Sequence, residues 1–268
     1  MKPIFRVLPA VCWLLLLVAC GKQPAGTTSR PALSVYVAAS LTDVMEAVGA
    51  AYERRAGVEL VFSFAGSGAL AQQLVAAPRA DLFISASERW MDTVEAAGRL
   101  RPDTRVDLLA NRLVIIAHPA ADYALAVPGD LGTLPFRLLA MGDPAFVPAG
   151  KYARSWLEAE ETARGGSLWS AVSDRVSPAP DVRAALAQVA SRRDVVGLVY
   201  QTDVLARPDA VRVLYAVPLA AGPPIRYVAA VLADAPEAQA ALDFLEFLRG
   251  DEARAIFAAH RFLPAPPA

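Results

Sequence analysis

The chain is poor in the side chains that bind metal ions or catalyse proton transfer near neutral pH. It has two cysteines and two histidines, and neither His118 nor His260 has another histidine or a cysteine at metal-ligand spacing. A serine–histidine–acid triad would have to recruit one of these two histidines across the fold. The composition therefore leaves an enzyme, in particular a serine hydrolase, as the weaker hypothesis.

The chain also lacks a block of basic residues. Lys and Arg number 26 against 27 Asp and Glu, and residues 1–19 contain only Lys2 and Arg6 as charged residues, so without them the formal charge is −3. Nucleic-acid binding is disfavoured because it depends on a clustered positive surface. An anionic ligand would have to be held by local dipoles, since there is no general positive field.

The first 19 residues have the pattern of a secretory signal peptide. Lys2 and Arg6 precede an almost entirely apolar run over 7–19, which is shorter than the roughly 20 apolar residues that cross a bilayer. The run ends in Leu-Val-Ala-Cys-Gly, which resembles the lipobox of bacterial lipoproteins. We therefore predict cleavage before Cys20 and acylation of its thiol. An ordinary signal peptide with a chance cysteine and a permanent signal anchor are the alternatives.

The mature chain predicted in this way has no intramolecular disulfide. Cys12 lies in the segment that would be removed, and Cys20 is the one cysteine that remains. Residues 20–32 are predicted to be a flexible tether, because 21–32 are polar and rich in Pro, Gly, Ser and Thr without apolar periodicity. We expect a protein held by its lipid in the periplasm or on the outer face of the cell membrane.

After the tether, short apolar runs rich in β-branched residues alternate with amphipathic helical patterns. Near-continuous apolar strands separated by helices are typical of α/β proteins with mostly parallel sheets. The predicted strands are Leu33–Ala38, Val58–Phe64, Asp81–Ser85, Leu113–Ala117, Phe136–Met141, Val195–Tyr200, Val211–Val217 and Tyr227–Leu232.

Roughly 235 residues exceed a typical single domain and indicate two lobes. Two apolar strands, near Leu113–Ala117 and Tyr227–Leu232, are predicted to cross between them. We expect a clamshell whose ligand lies in the cleft, where open α/β sheets usually bind. The expected division is 33–116 plus 228–268 for lobe 1 and 117–227 for lobe 2.

Five strand-to-helix junctions carry small or hydroxyl residues where a helix begins. At the first, Ser40 holds an N-cap position with Asp43 three residues on, a near match to a capping box. At the second, Gly66-Ser67-Gly68 lets the backbone turn sharply and lets a ligand approach the amides of a helix N-terminus. An ordinary helix cap and an ordinary loop remain the alternatives here.

The other three junctions lie in the second half of the chain. Pro148 suits the first turn of a helix and directs the amide of Ala149 outward. Asp181 is the predicted N-cap of another helix, with Val182 in its first turn. A strand delivers Tyr200 to its C-terminal end, where the phenol is either a hydrogen-bond donor in a cleft or a half-buried core residue.

Taken together and in order, six motifs resemble those of the periplasmic molybdate-binding proteins of molybdate ABC transporters: AASLT, SFAGSGALA, ADLFISA, GDP…VPAG, DVRAALA and GLVYQTD. The similarity runs from about residue 33 to the C-terminus. It implies a two-lobed type 2 periplasmic-binding-protein fold and an oxyanion held by neutral donors alone. By this resemblance, one lobe supplies the hydroxyls of Ser40 and Ser67. The other supplies the amides of Ala149 and Val182 and the hydroxyl of Tyr200.

The resemblance also implies the protein's partners. We expect a monomer that delivers its ligand to the permease and ATPase subunits of an ABC importer, needs no cofactor and touches the membrane only through its lipid. The sequence departs from the family at Gly66-Ser67-Gly68, where members often carry more hydroxyls. That departure puts a second donor at this turn in doubt, and leaves Ser67 in place.

The chemistry of molybdate agrees with such a site. Molybdate is fully deprotonated at neutral pH, so its oxygens only accept hydrogen bonds, and charge-assisted bonds to backbone amides are strong. Hydrogen phosphate carries a proton and needs an acceptor as well. The sequence does not separate molybdate from tungstate, and sulfate or phosphate binding by the same fold remains the main alternative.

Overall fold

Two β-sheets, each flanked by helices, make up the computed structural model, which describes residues 32–161 and 165–265. The predicted signal peptide, Cys20 and the predicted tether up to residue 31 lie outside the described residues. Within the described ranges, no helix is both long and apolar enough to span a membrane.

The described residues form eleven strands, eight α-helices and four short 3-10 helices. The strands are β1 (Ala32–Ala38), β2 (Glu59–Ala65), β3 (Leu82–Ser85), β4 (Val106–Asn111), β5 (Leu113–Ala117), β6 (Leu138–Gly142), β7 (Val176–Ala179), β8 (Val195–Tyr200), β9 (Arg212–Ala216), β10 (Ile225–Val231) and β11 (Leu263–Pro264). The helices are α1 (Thr42–Ala56), α2 (Ser67–Ala76), α3 (Glu88–Ala96), α4 (Pro148–Ala159), α5 (Leu168–Val172), α6 (Val182–Ser191), α7 (Ala238–Arg249) and α8 (Asp251–Ala259). The 3-10 helices are Ala39–Leu41, Pro128–Gly132, Ser173–Arg175 and Gln201–Ala206.

The first lobe contains a six-stranded sheet of order β11-β4-β10-β3-β1-β2, and the second lobe a five-stranded sheet of order β7-β6-β8-β5-β9. This arrangement confirms the two-lobed α/β fold. The sheets are mixed where we expected mostly parallel ones. β1 and β6 pair in parallel with both neighbours, whereas β10 and β5 pair antiparallel with both of theirs. A continuous apolar run indicates that a strand is buried on both faces. Such burial occurs in parallel and antiparallel strands alike, so the run does not predict strand direction.

The chain crosses between the lobes twice. It leaves the first sheet at Arg112, between β4 and β5, and returns over residues 217–224, between β9 and β10. The expected lobe limits, at 116/117 and 227/228, fall within β5 and β10. Which residues move with which lobe stays a prediction.

All eight predicted strands are present, with ends within two residues of those expected. Three strands were missed: β4, β7 and β11. β7 contains Pro178 and lies at the edge of its sheet, where a proline is tolerated but weakens the strand pattern. β11 has two residues, which is too short for any periodicity.

The direction of the parallel strands places the helix starts together. β1, β2, β6 and β7 each end one to six residues before a helix begins, at Ala39, Ser67, Pro148 and Val182. The carboxyl ends of parallel strands meet at one edge of a sheet, and open α/β sheets bind ligands at that edge. The two sheets thus present their helix starts to the space between the lobes.

Candidate ligand-binding site

A small cavity of about 10 Å³ lies between the two lobes and is lined by both. All five residues that the sequence nominated as ligand donors, Ser40, Ser67, Ala149, Val182 and Tyr200, line this one cavity. The remaining lining residues are Ala38, Ala39, Gly66, Ala86, Val147, Pro148 and Asp181. The structure therefore brings the nominated residues together, and their contact with a ligand stays a prediction.

Three α-helices start at the cavity wall. α2 begins with Ser67, α4 with Pro148 and α6 with Val182. The first backbone N–H groups of an α-helix have no acceptor within the helix, and the helix dipole places partial positive charge at the same end. Three such ends facing one small space form a site for an anion without any cationic side chain.

The amides of Ala149 and Val182 lie ahead of the first hydrogen bonds within their helices. Ala149 is the second residue of α4. In α6 the carboxylate of Asp181 caps the helix by accepting the N–H of Ala184 at 2.8 Å. Val182 is the first residue of α6, so its amide has no acceptor within the helix.

The hydroxyl of Ser67 is set up to donate. Ser67 is 1 % exposed, and its Oγ accepts the backbone N–H of Ala86 at 3.0 Å. An oxygen that accepts a hydrogen bond from the protein keeps its own hydrogen for another partner. Because Ser67 lines the cavity, that hydrogen is available to a ligand there.

The hydroxyl of Tyr200 is a buried donor at the cavity. It has no hydrogen-bond partner among the described residues, although the side chain is 1 % exposed. An unsatisfied buried polar group costs about 1–3 kcal/mol. Burial also raises the pKa of Tyr200 well above its usual value, so the phenol keeps its proton and remains a donor.

The lining is nearly free of charge. Among the described residues that line the cavity there is no Lys, Arg or His, and the one acidic side chain, Asp181, is occupied as a helix cap. Lys151 follows the α4 start but is exposed and outside the lining. In residues 32–161 and 165–265, no three His, Cys, Asp or Glu side chains are grouped to hold a metal ion.

The two histidines are engaged elsewhere. The ring of His118 accepts the N–H of Ala120 at 3.0 Å, and Nδ1 of His260 lies 2.9 Å from the carbonyl of Ile256 at the end of α8. Neither lines the cavity. They act in local loop and helix-end contacts.

Arg183 connects the lobes behind the cavity, and sequence reasoning missed it. From α6 in the second lobe its guanidinium reaches Asp43 at 2.5 Å and the carbonyl of Ser40 at 3.3 Å, both in the first lobe. Its Nε also lies 2.8 Å from Asp203, which is fully buried and accepts the N–H of Tyr200. In the sequence Arg183 is one arginine in an alanine-rich helical segment. Nothing in that pattern predicts partners in both lobes.

Gly66 allows the lobes to approach each other. A Cβ at this position would lie 2.7 Å from the carbonyl oxygen of Pro180 in the second lobe, closer than real Cβ contacts. At Gly68 a Cβ would meet the carbonyl of Phe146, also in the second lobe, at 2.3 Å. Neither position flanking Ser67 has room for a side chain. The glycines at this departure from the family pattern therefore have a steric cause.

The comparisons with known proteins agree with this geometry. The sequence model of the bacterial extracellular solute-binding proteins matches residues 33–263. The molybdate-binding protein ModA of Escherichia coli is 35 % identical over 234 residues, covering 86 % of this chain and 88 % of that protein.

Two solved structures share the fold. The periplasmic molybdate-binding protein of Azotobacter vinelandii superposes with a TM-score of 0.76 at 20 % identity, covering 88 % of this chain and all of that one. The sulfate-binding protein SubI of Mycobacterium tuberculosis superposes with a TM-score of 0.76 at 17 % identity, covering 89 % of this chain and 88 % of that one. At these identities the likeness shows the fold alone.

Asp203 predicts a pH dependence of stability. Burial raises the pKa of its carboxyl to about 7, against the lowering effect of Arg183. The unfolded chain releases this proton near pH 4, so between about pH 4 and 7 the folded state binds the extra proton. The free energy of unfolding should therefore fall as pH rises through that window, by up to about 1.4 kcal/mol per pH unit. Urea denaturation at several pH values should show this fall in the wild type and not in Asp203→Asn.

The exposed Asp194 provides the control. Its pKa is lowered by Arg192, so Asp194→Asn should leave the fall due to Asp203 in place. A wild type that gains stability relative to Asp203→Asn as the pH rises would show that Arg183 keeps the buried carboxylate ionised instead.

Proposed function

The chain belongs to the bacterial extracellular solute-binding proteins, and we propose that it captures molybdate or tungstate between its lobes and delivers the anion to an ABC importer. Members of this family bind solutes; they are not enzymes, and what they hold is a ligand and not a cofactor. One observation carries the class of ligand: a small cavity lined by neutral donors from both lobes, including a Tyr200 hydroxyl without a hydrogen-bond partner among the described residues.

A fully deprotonated tetrahedral dianion is complementary to this ring. Each of its oxygens accepts hydrogen bonds, and Ser67, Tyr200 and the helix-start amides all donate. Charge-assisted hydrogen bonds of this kind are stronger than neutral ones. Hydrogen phosphate would also need an acceptor, and the carboxylate at the cavity, that of Asp181, caps α6 through one of its oxygens by accepting from Ala184.

Sulfate is the second candidate ligand. A sulfate-binding protein shares the fold, and sulfate and molybdate are both tetrahedral dianions. The proposal favours molybdate because the ModA protein of E. coli is a much nearer relative in sequence. Size is the property on which the two anions differ, so selectivity between them tests the proposal directly.

The delivery step and the anchor complete the proposal. The protein works as a monomer, and the permease and ATPase subunits of the importer receive the anion from it. The lipid on Cys20 attaches the protein to the membrane, and the tether over residues 20–32 connects this lipid to the folded part. The motif Leu-Val-Ala-Cys-Gly supports this attachment.

We predict that molybdate and tungstate bind far more tightly than sulfate or phosphate. Donors fixed on two lobes cannot all reach a smaller anion, and each buried donor left unpaired costs about 1–3 kcal/mol. Two such groups separate the affinities by roughly thirtyfold or more. Titration calorimetry of the protein lacking residues 1–20 with all four anions measures this. Sulfate binding within a few fold of molybdate would make a general oxyanion carrier the better description.

Removing one donor should weaken molybdate binding about ten- to a hundredfold, because a hydrogen bond to a charged group contributes about 1.5–3 kcal/mol. The variants are Ser67→Ala and Tyr200→Phe, measured by calorimetry. Tyr200→Phe should leave the ligand-free protein at least as stable, since the lost hydroxyl has no partner there. Tyr215→Phe, which removes a hydroxyl in the same lobe away from the cavity, should bind normally. Full affinity in a folded Ser40→Ala/Ser67→Ala variant would place the anion elsewhere.

Cys20→Ser should abolish acylation and release the protein from membranes. The thiol of Cys20 is the acceptor for the lipid in the predicted lipobox, and serine lacks it. Cells labelled with a tagged fatty acid and then fractionated give the measurement, with Cys12→Ser as the matched control that should remain acylated. Equal labelling of the wild type and Cys20→Ser would reject the anchor.

A further inference from the structure

We propose that Asn111 and Tyr227 are positioning residues that fix the direction of the Ser40 hydroxyl hydrogen, so that it points at the bound oxyanion. Neither residue lines the cavity. The inference rests on the proposed function, since it concerns how one of the anion's donors is oriented. The inference assigns a role to two residues that do not contact the ligand. They determine which of the Tyr227 and Ser40 hydroxyls donates to the other.

The orientation of the Asn111 amide is settled by the backbone. The N–H of Arg112 donates to Asn111 Oδ1 at 2.9 Å, so the amide oxygen faces Arg112. The NH₂ group therefore faces the other way, towards Thr202 Oγ1 at 2.9 Å and the Tyr227 hydroxyl at 3.2 Å. A flipped amide would point its NH₂ group at the N–H of Arg112, two donors facing each other.

The orientation of the Tyr227 hydroxyl follows from that of Asn111. Its oxygen accepts from the Asn111 amide, so its hydrogen must go to another acceptor. Ser40 Oγ lies 3.0 Å away. Tyr227 is fully buried, and burial raises its pKa above the usual value, so the hydroxyl keeps the hydrogen it donates. The chain of hydrogen bonds thus runs from Asn111 to Tyr227 to Ser40.

Because its Oγ accepts from Tyr227, Ser40 keeps its own hydrogen for another partner. The residue is 3 % exposed and lines the cavity. An alternative direction, in which Ser40 donates to Tyr227, would point an oxygen lone pair at the anion and turn an attractive contact into a repulsive one. The relay removes that alternative before the ligand arrives, which reduces the cost of ordering the hydroxyl on binding.

The same relay joins the lobes. Asn111 and Tyr227 belong to β4 and β10 of the first lobe, whereas Thr202 follows β8 in the second. Arg112, which orients the amide, is the residue where the chain crosses between the sheets. The arrangement of Asn111 that directs Ser40 is thus the one found with the lobes in contact.

A double-mutant cycle tests the inference. In the wild-type background, Tyr227→Phe should weaken molybdate binding about three- to tenfold, or roughly 0.7–1.4 kcal/mol, which lies within the range for one neutral hydrogen bond. In the Ser40→Ala background the same change should alter affinity less than about twofold, because the group through which Tyr227 acts is gone. Calorimetry on the four proteins gives the coupling, and melting curves establish that each is folded.

Two further variants separate orientation from general damage. Thr202→Val removes an acceptor at the far end of the relay without changing its direction. Tyr52→Phe removes the hydroxyl of a tyrosine whose ring packs against Phe244 and Phe247. Both should bind molybdate within about twofold of the wild type. Equal losses from Tyr227→Phe with and without the Ser40 hydroxyl would overturn the inference. Failure of the wild type to bind molybdate would instead overturn the proposed function.

Discussion

The structure depends on one electrostatic constraint: a doubly charged anion taken out of water must have its oxygens met by hydrogen-bond donors. Burying an unpaired charge costs far more than the net stability of a domain. A single loop cannot surround a tetrahedron, so the donors have to converge from several directions. In the proposed site they come from helix starts of two lobes, with Ser67 on one side and Ala149 and Val182 on the other.

This constraint also explains where the charged residues are. Cationic side chains at the cavity would attract any anion, whereas backbone amides at rigid helix starts impose a position and a direction as well. The nearest arginine, Arg183, pairs with Asp43 and Asp203 instead of lining the cavity. Its positive charge therefore stabilises the contact between lobes, and neutral dipoles remain to face the ligand.

The parts of the site that the sequence predicted are those encoded by short local patterns. A strand followed by Gly66-Ser67 or by Asp181-Val182 predicts a helix start within a few residues, and parallel strands collect such starts at one edge. Strand direction, the edge strands β7 and β11, and the contacts of Asn111 and Tyr227 depend on residues far apart in the chain. Asn111 and Tyr227 lie 116 positions apart, so no spacing rule links them.

The selectivity that we propose rests on rigidity on both sides of the cavity. The amides of Ala149 and Val182 are fixed by their helices, Ser67 Oγ is held by Ala86, and Tyr200 extends from the end of a buried strand. Gly66 sets how near the lobes come, because the Pro180 carbonyl faces it where a side chain would stand. Donors held at fixed positions on both lobes cannot move inward to reach a smaller anion. A site built in this way distinguishes tetrahedral dianions by size, although their charge is the same.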